Sequence, residues 1–257
     1  EPTTRADILN VSTHKPSKRH YPLDHGTYLD CVTKELHGVD IHITEERLGL
    51  THDGNRLFGV FEVEKHVGLP LIHQQSNSGV FTKLIGIRNS HDQSLAANLV
   101  AGARVFVCDN LMFSGDITMK HKNTRNLEAN LPRLVRDMVG QLFDKWMHQS
   151  VQFDAYADTE LNDEQAHDLM VKSLRYGCVP SSHMQHVIEC WDTPPHDEFA
   201  PRNAWSLFNC FTEVQKKSPS YIPERSKDLH TVFNRHCSGA INRLAQEHQL
   251  DFNTHGL

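Results

Sequence analysis

The sequence of 257 residues has no apolar run approaching the roughly 20 residues that a membrane-spanning helix requires. It has no Gly-x-Gly-x-x-Gly and no Gly-x-x-x-x-Gly-Lys-Ser/Thr, which argues against nucleotide binding by the common phosphate loops. His-Glu-x-x-His and Gly-x-Ser-x-Gly are also missing, so neither a zincin helix nor a nucleophile elbow is in view. Cysteine is sparse: Cys31, Cys108, Cys178, Cys190, Cys210 and Cys237 include no Cys-x-x-Cys pair and no zinc-finger rhythm. They read as reduced intracellular thiols, mostly buried as small hydrophobes. The opening Glu1-Pro2-Thr3-Thr4-Arg5 shows no apolar signal-peptide core, so no secretory signal is expected. Basic charge is short as well: 26 Lys and Arg against 32 Asp and Glu give −6, which excludes a generally basic coat. Histidine is the exception. There are 19, and their partial protonation near pH 6 would cancel much of the negative charge.

What is present divides the chain by period. Residues 1–22 are polar and basic around Pro16 and read as a loose arm. Leu29, Val32 and Leu36 have helical spacing, with Gly38 as a stop. Between Arg47 and Glu64, Asp53-Gly54 separates two apolar runs and predicts a hairpin, since both residues tolerate positive φ. Val80–Arg88 and Leu95–Cys108 read as strands about a turn at Asn89–Ser94. Gly102 marks a bend, and Leu111–Lys120 reads as a further strand. From Thr124 the period becomes helical. Leu127, Leu131, Leu134, Val135, Met138, Leu142, Trp146 and Met147 form one stripe, expected as a single long helix. Asn162 with Gln165 forms a capping box, Ser181 or Ser182 opens a short helix, and Asn203–Lys216 forms another. Ser226 is expected to cap a last helix running past Leu244. Strands followed by helices predict one α+β domain. Its parts are a mostly antiparallel sheet over 23–122, packed on a helical part over 123–257.

The densest polar constellation is Asn89-Ser90-His91-Asp92, followed by Cys108-Asp109-Asn110 and His121. His, Asp and Cys ligate metals, and polar loop residues on a rigid sheet are often functional. If the protein is an enzyme, His91, Asp92 and Asp109 are the catalytic candidates, and His91, Cys108 and His121 the metal candidates. The same side chains also suit a turn, because Asn, Ser and Asp bond their own backbone there. A plain turn predicts that His91→Ala costs no more than about 0.5 kcal/mol. Ser90, His91 and Asp92 are no hydrolytic triad, since consecutive side chains diverge.

Charge is uneven. Lys120, Lys122, Arg125, Arg133 and Arg136 form a basic stripe able to track a phosphate backbone, or an ordinary solvated helix start. Between Asp154 and Asp168 stand six acids with no Lys or Arg, a candidate contact for a protein partner. The run Asn203–Glu213 sets Asn209, Thr212 and Glu213 beside Trp205, where they bond the core or line a pocket; the core role is preferred.

In order along the chain stand Ile87-Arg88-Asn89-Ser90-His91-Asp92-Gln93-Ser94, then Arg104-Val105-Phe106-Val107-Cys108-Asp109-Asn110-Leu111, then His121, then Asn203-Ala204-Trp205-Ser206-Leu207-Phe208-Asn209-Cys210-Phe211-Thr212-Glu213. The set resembles the phage/plasmid-like proteins grouped as domain of unknown function 932. That family's core reads approximately Asn-Ser-His-Asp-Gly-Ser, Arg-Val-Val-Cys-x-Asn, and a Trp-containing helix ending Asn-Ala-Val-Thr-Glu. Gln93 stands here for the usual glycine, and Cys210-Phe211 for Ala-Val. The resemblance spans roughly residues 45–235 and implies a bacterial, cytoplasmic, mobile-element setting without an established activity, catalytic residue or cofactor. The leading expectation is a nucleic-acid-associated protein, a single-strand binder or annealing accessory that forms homo-oligomers and does not enter membranes. A metal-dependent hydrolase at the Ser-His-Asp turn and a non-enzymatic protein that binds a host or virion partner are the alternatives.

Overall fold

A computed structural model of the chain describes residues 3–15, 21–51, 53–65, 81–92, 94–95, 97–105, 111–118, 127–216 and 222–250. By its contacts the chain divides into two compact units. The first is Glu1–Pro70, Lys83–Ala101 and Asp116–Phe143; the second is Leu71–Thr82, Gly102–Gly115 and Asp144–Leu257.

Five strands, β1 (Ile41–Thr51), β2 (Arg56–Lys65), β3 (Phe81–Ser90), β4 (Asn98–Val105) and β5 (Leu111–Thr118), form one sheet in sequence order. β1 pairs antiparallel with β2, and β2 with β3, in the registers Thr51 to Arg56 and Leu57 to Asn89. The β1–β2 turn is the one the sequence predicts: Asp53 at φ +55° and Gly54 at φ +82° give the left-handed pair that matches strand twist. One irregularity, between Ile43 and Glu45, shifts the β1–β2 register. Antiparallel strands followed by helices confirm the α+β class.

In the first unit, α1 (Arg5–Leu9) falls inside the segment expected as a loose arm. Thr4 and Asp7 close a capping box around it, Ile8 is buried, and Arg5 pairs with Asp30 and with Glu46. α2 (His25–Gly38), capped by Asp24, buries Tyr28, Leu29, Val32 and Leu36 and packs on β1 and on α3 (Leu127–Gly140). Tyr28 donates from its hydroxyl to the Asn98 carbonyl at 2.8 Å.

The long helix expected from Thr124 is two helices. α3 stops at Gly140 and α4 (Leu142–Ala157) begins after Gln141. The glycine weakens the helix interior, and the Gln141 amide closes back on Met138 at 3.1 Å, a tighter turn than the α-helix makes. The apolar stripe runs through the break, so periodicity alone cannot detect it. The expected last helix is also two, α8 (Ile222–His236) and α9 (Ser238–Glu247), and Ser226 lies buried inside α8 rather than capping it.

The second unit adds α5 (Asp163–Arg175), with the predicted Asn162–Gln165 capping box, α6 (Met184–Asp192) and α7 (Ala204–Gln215). Its core is aromatic. Phe153 meets Trp205 with ring centroids 4.8 Å apart, and Phe208 meets Phe233 edge-on at 5.2 Å. No described helix is long and apolar enough to cross a membrane.

Gly59, in β2, is buried under side chains. A Cβ there would stand 2.8 Å from Ile87 Cγ1 and 2.9 Å from Leu48 Cδ2. Gly59→Ala must displace both neighbouring strands' side chains. It should cost about 1–3 kcal/mol, read as a lowered urea midpoint with unchanged slope.

Candidate functional site

Asn89, Ser90, His91 and Asp92 belong half to a strand and half to a turn. Asn89 and Ser90 end β3, one residue pair later than the sequence suggests. Strand pleating sends Asn89 inward, where it is fully buried. Its amide Nδ2 donates to the Leu23 carbonyl at 2.8 Å and to His25 Nδ1 at 2.9 Å. His25, the first residue of α2, then donates from Nε2 to the Gly54 carbonyl at 3.0 Å. One carboxamide thus joins the chain entering α2, the α2 imidazole and, through it, the β1–β2 turn. The pair of bonds fixes His25 as the neutral Nε2–H tautomer. Burial, then the nearby His91, lower its pKa to about 4.

His91 stacks on His25 with ring centroids 3.8 Å apart and planes 10° from parallel, and His14 lies 5.8 Å from it on the other approach. Burial and His14 push the His91 pKa down, while Asp24 and Asp92 oppose them. The His91 amide donates to the Asn55 carbonyl at 2.9 Å, a second tie to the β1–β2 turn. His91 is 2% exposed. The small cost expected of His91→Ala on the plain-turn reading therefore does not hold: removing a buried, stacked ring should cost about 1–3 kcal/mol.

Ser90 and Asp92 are committed to the turn. Ser90 Oγ donates to the Leu95 carbonyl and accepts from the Leu95 amide, both at 3.0 Å. Asp92 accepts from the Ser94 amide at 2.9 Å, from the Ser94 hydroxyl, and from Arg56 Nε at 3.1 Å. These bonds, the Ser94 hydroxyl foremost, hold its carboxyl well below the usual range. Asp24 is braced in the same way. Burial works to raise its pKa, but the Thr13 hydroxyl at 2.7 Å and the Thr27 amide at 2.7 Å outweigh it.

The partners proposed for this turn, Cys108, Asp109, Asn110 and His121, lie outside the described residues, as do Lys120, Lys122 and Arg125. Among the described residues no three His, Cys, Asp or Glu side chains converge to hold a metal ion. Of the basic stripe, Arg133 and Arg136 are in view. Their side chains are 64% and 67% exposed; Arg133 pairs with Asp137 at 3.2 Å and Arg136 with Glu35 at 2.8 Å.

The Asn203–Glu213 run forms α7, with Asn203 as its cap: Oδ1 accepts from the Ser206 amide at 2.9 Å. Trp205, Asn209 and Thr212 are buried. Asn209 donates to the Trp205 carbonyl and Thr212 to the Asn209 carbonyl, each at 3.0 Å. Glu213 faces outward and takes a bond from Lys216. Sequence reasoning missed His25, Asp24, His14 and the Gly54 carbonyl. Asp24 as a helix cap was the one signal available; the histidine beside it carries none.

The fold and these motifs together define a helical and antiparallel-sheet protein whose signature turn is anchored by buried imidazoles. The chain belongs to the family described as Domain of unknown function (DUF932), which matches residues 16–241. No curated protein and no solved structure matches it.

Folding keeps His25 near pKa 4, and an unfolded chain returns it to about 6.5, so unfolding takes up a proton between those values. The stability from neutral His25 is complete above pH 6.5 and is lost as pH falls toward 4, by about 2 kcal/mol allowing for solvent screening. The lowered pKa of His91 acts with the same sign. Urea midpoints between pH 7 and pH 4.5 should fall accordingly, and ¹⁵N shifts of His25 should keep the Nε2–H pattern throughout. Asn89→Ala strands the Leu23 carbonyl and His25 Nδ1 without their donor and should cost about 2–4 kcal/mol at pH 7.

Proposed function

We propose that the protein is a nucleic-acid-associated protein of a bacterial phage or plasmid, acting in the cytoplasm as a homo-oligomer that binds single strands through α3. The supporting observation is the pair Arg133 and Arg136. They stand one turn apart on α3 with solvent-exposed guanidinium groups, each steadied by a carboxylate. A guanidinium has five donors, and Arg136 uses only Nε and one terminal nitrogen on Glu35, which leaves donors facing water for a phosphate oxygen. Residues three apart on a helix are neighbours, so the two cations can serve one strand. Lys120, Lys122 and Arg125 precede them in the chain and extend the same positive run.

The binding reading is preferred to hydrolysis because Ser90 and Asp92 spend their polar atoms on the turn and His91 is stacked inside the protein. It is preferred to a protein contact at Asp154–Asp168 because three of those six acids are held internally: Asp158 by Arg243, Asp163 by Arg202 and Asp168 by Lys172.

Affinity for a single-stranded oligonucleotide should fall linearly with salt on logarithmic axes. An Arg133→Ala/Arg136→Ala variant should bind more weakly and show a slope shallower by about 1.4, or about 0.7 for each lost phosphate contact. Thermal unfolding of the variant controls for the loss of the Glu35 pair. No binding to single- or double-stranded oligonucleotides at low salt would overturn the reading.

A further inference from the structure

Two of the three large apolar side chains exposed among the described residues belong to the end of α5: Val171, 50% exposed, and Tyr176, 42% exposed, the residue that caps the helix. The Tyr176 amide donates to the Lys172 carbonyl at 3.0 Å, so the helical turn runs on through the tyrosine. At 3.6 residues per turn, Val171, Arg175, Lys172 and Tyr176 fall within about 140° of helix surface. Arg235 reaches this face from the last turn of α8, which packs on α5. It donates from a terminal nitrogen to the Tyr176 hydroxyl, and its guanidinium carbon stands over the ring, 5.4 Å from the centroid.

Charge is arranged unusually on this face. Arginines of both units pair with acids, among them Arg56, Arg136, Arg202 and Arg243. Arg175 and Arg235 are exposed and have no carboxylate partner among the described residues, although the chain carries an excess of acids. Lys172, between them and the ring, is already paired with Asp168. Cations at a helix C-terminus complement its dipole, and that accounts for Arg175 and Arg235 taken alone. It gives no reason for an aromatic ring and a valine to stand in water on the same face.

A ligand that joins a flat apolar group to an anion accounts for all of these features. We propose, on the reading that the protein binds single strands, that Tyr176, Arg175 and Arg235 form a second contact for single-stranded nucleic acid, with one base stacked on the Tyr176 ring and neighbouring phosphates on the two guanidinium groups. Each guanidinium has five donors, and Arg235 gives one terminal nitrogen to the Tyr176 hydroxyl. That bond holds ring and cation in one arrangement without cancelling the charge, as a carboxylate would, so both lose less freedom on binding. A single strand offers the faces of its bases; a duplex keeps them stacked on one another.

The test uses the full-length protein, a fluorescent oligothymidylate and an abasic strand of equal length. Tyr176→Ala should weaken oligothymidylate binding about tenfold while leaving the salt slope and the abasic-strand affinity as in the parent. Tyr176→Phe keeps the ring and should restore most of the loss. Arg175→Ala/Arg235→Ala should weaken binding of both strands and make the slope shallower by about 1.4. All these side chains are exposed, and thermal unfolding checks that each variant is folded. Irradiating the parent on a 5-bromouracil strand should cross-link Tyr176, located by peptide mapping. Oligothymidylate binding that survives Tyr176→Ala, with no cross-link at that residue, would overturn this contact and leave the α3 reading standing. A loss in Tyr176→Ala while Arg133→Ala/Arg136→Ala binds like the parent would support this contact and remove the one on α3. Polyglutamate bound through Arg175 and Arg235, with oligothymidylate indifferent to both, would assign the face to an acidic protein partner and overturn the proposal.

Discussion

The amide of Asn89 is the interaction on which the first unit turns. It is fully buried, and a buried amide without partners would cost several kcal/mol. Its nitrogen finds them in the Leu23 carbonyl and in His25, which come together only when the chain entering α2 lies against β3. Because the amide donates to His25 Nδ1, the imidazole must carry its proton on Nε2, and that proton needs an acceptor. Gly54 supplies it from a turn whose left-handed backbone aims the carbonyl inward. Each demand is met by an element from a different part of the chain. The result is a closed polar circuit: no member can shift without leaving another unsatisfied.

That circuit explains why the sequence revealed the motif but misjudged its surroundings. Asn-Ser-His-Asp is a run of turn-forming types, and the prediction of a turn is right for Ser90 and Asp92, whose side chains bind local backbone. Such short-range bonding is written in neighbouring residues. Burial of Asn89 and His91 depends instead on His25, 64 residues from Asn89 along the chain, and no local pattern encodes that partnership. The helices show the same division. Capping at Asn162 was legible because the cap oxygen and the Gln165 amide that donates to it lie three residues apart. The breaks at Gln141 and Cys237 were not, because an apolar stripe continues across each while the backbone changes course. The resemblance carried by the ordered motifs held for the family, while the partners of the turn beyond Val105 lie outside the described residues.

The abundance of histidine gains meaning from two of its members. His25 in the first unit and His230 in the second are both buried and neutral, with pKa values lowered to about 4 and about 3 by desolvation above all. They use opposite tautomers. His230 donates from Nδ1 to the Tyr156 hydroxyl at 3.0 Å, and that hydroxyl donates onward to Asn234 Oδ1 at 2.5 Å. A histidine-rich composition suggests a charge reservoir near pH 6, yet these two rings cannot take up protons there without breaking the contacts that bury them. They convert acid into lost stability in each unit.

The treatment of surface charge completes this logic. A cluster of like charges destabilises a compact chain unless opposite charges are set among them. Asp154–Asp168 reads in sequence as an unrelieved acidic patch, but Arg243 of α9, Arg202 of the segment before α7 and Lys172, one turn along α5, reach it. The Arg202 guanidinium also lies over the Trp191 ring, 3.8 Å from its centroid, so the same side chain neutralises an acid and packs an aromatic. Arg136 inverts the arrangement: the cation stands in water and buried Glu35 steadies it from the protein side, while Arg133 and Asp137 form an exposed pair along α3. An exposed guanidinium held in place loses less side-chain entropy on meeting an anion than a free one does. A charge with its partner below and water above is thus better prepared to bind phosphate than its pairing alone suggests. The acidic segment differs in that three of its six acids, Asp158, Asp163 and Asp168, already have cations of the same chain beside them.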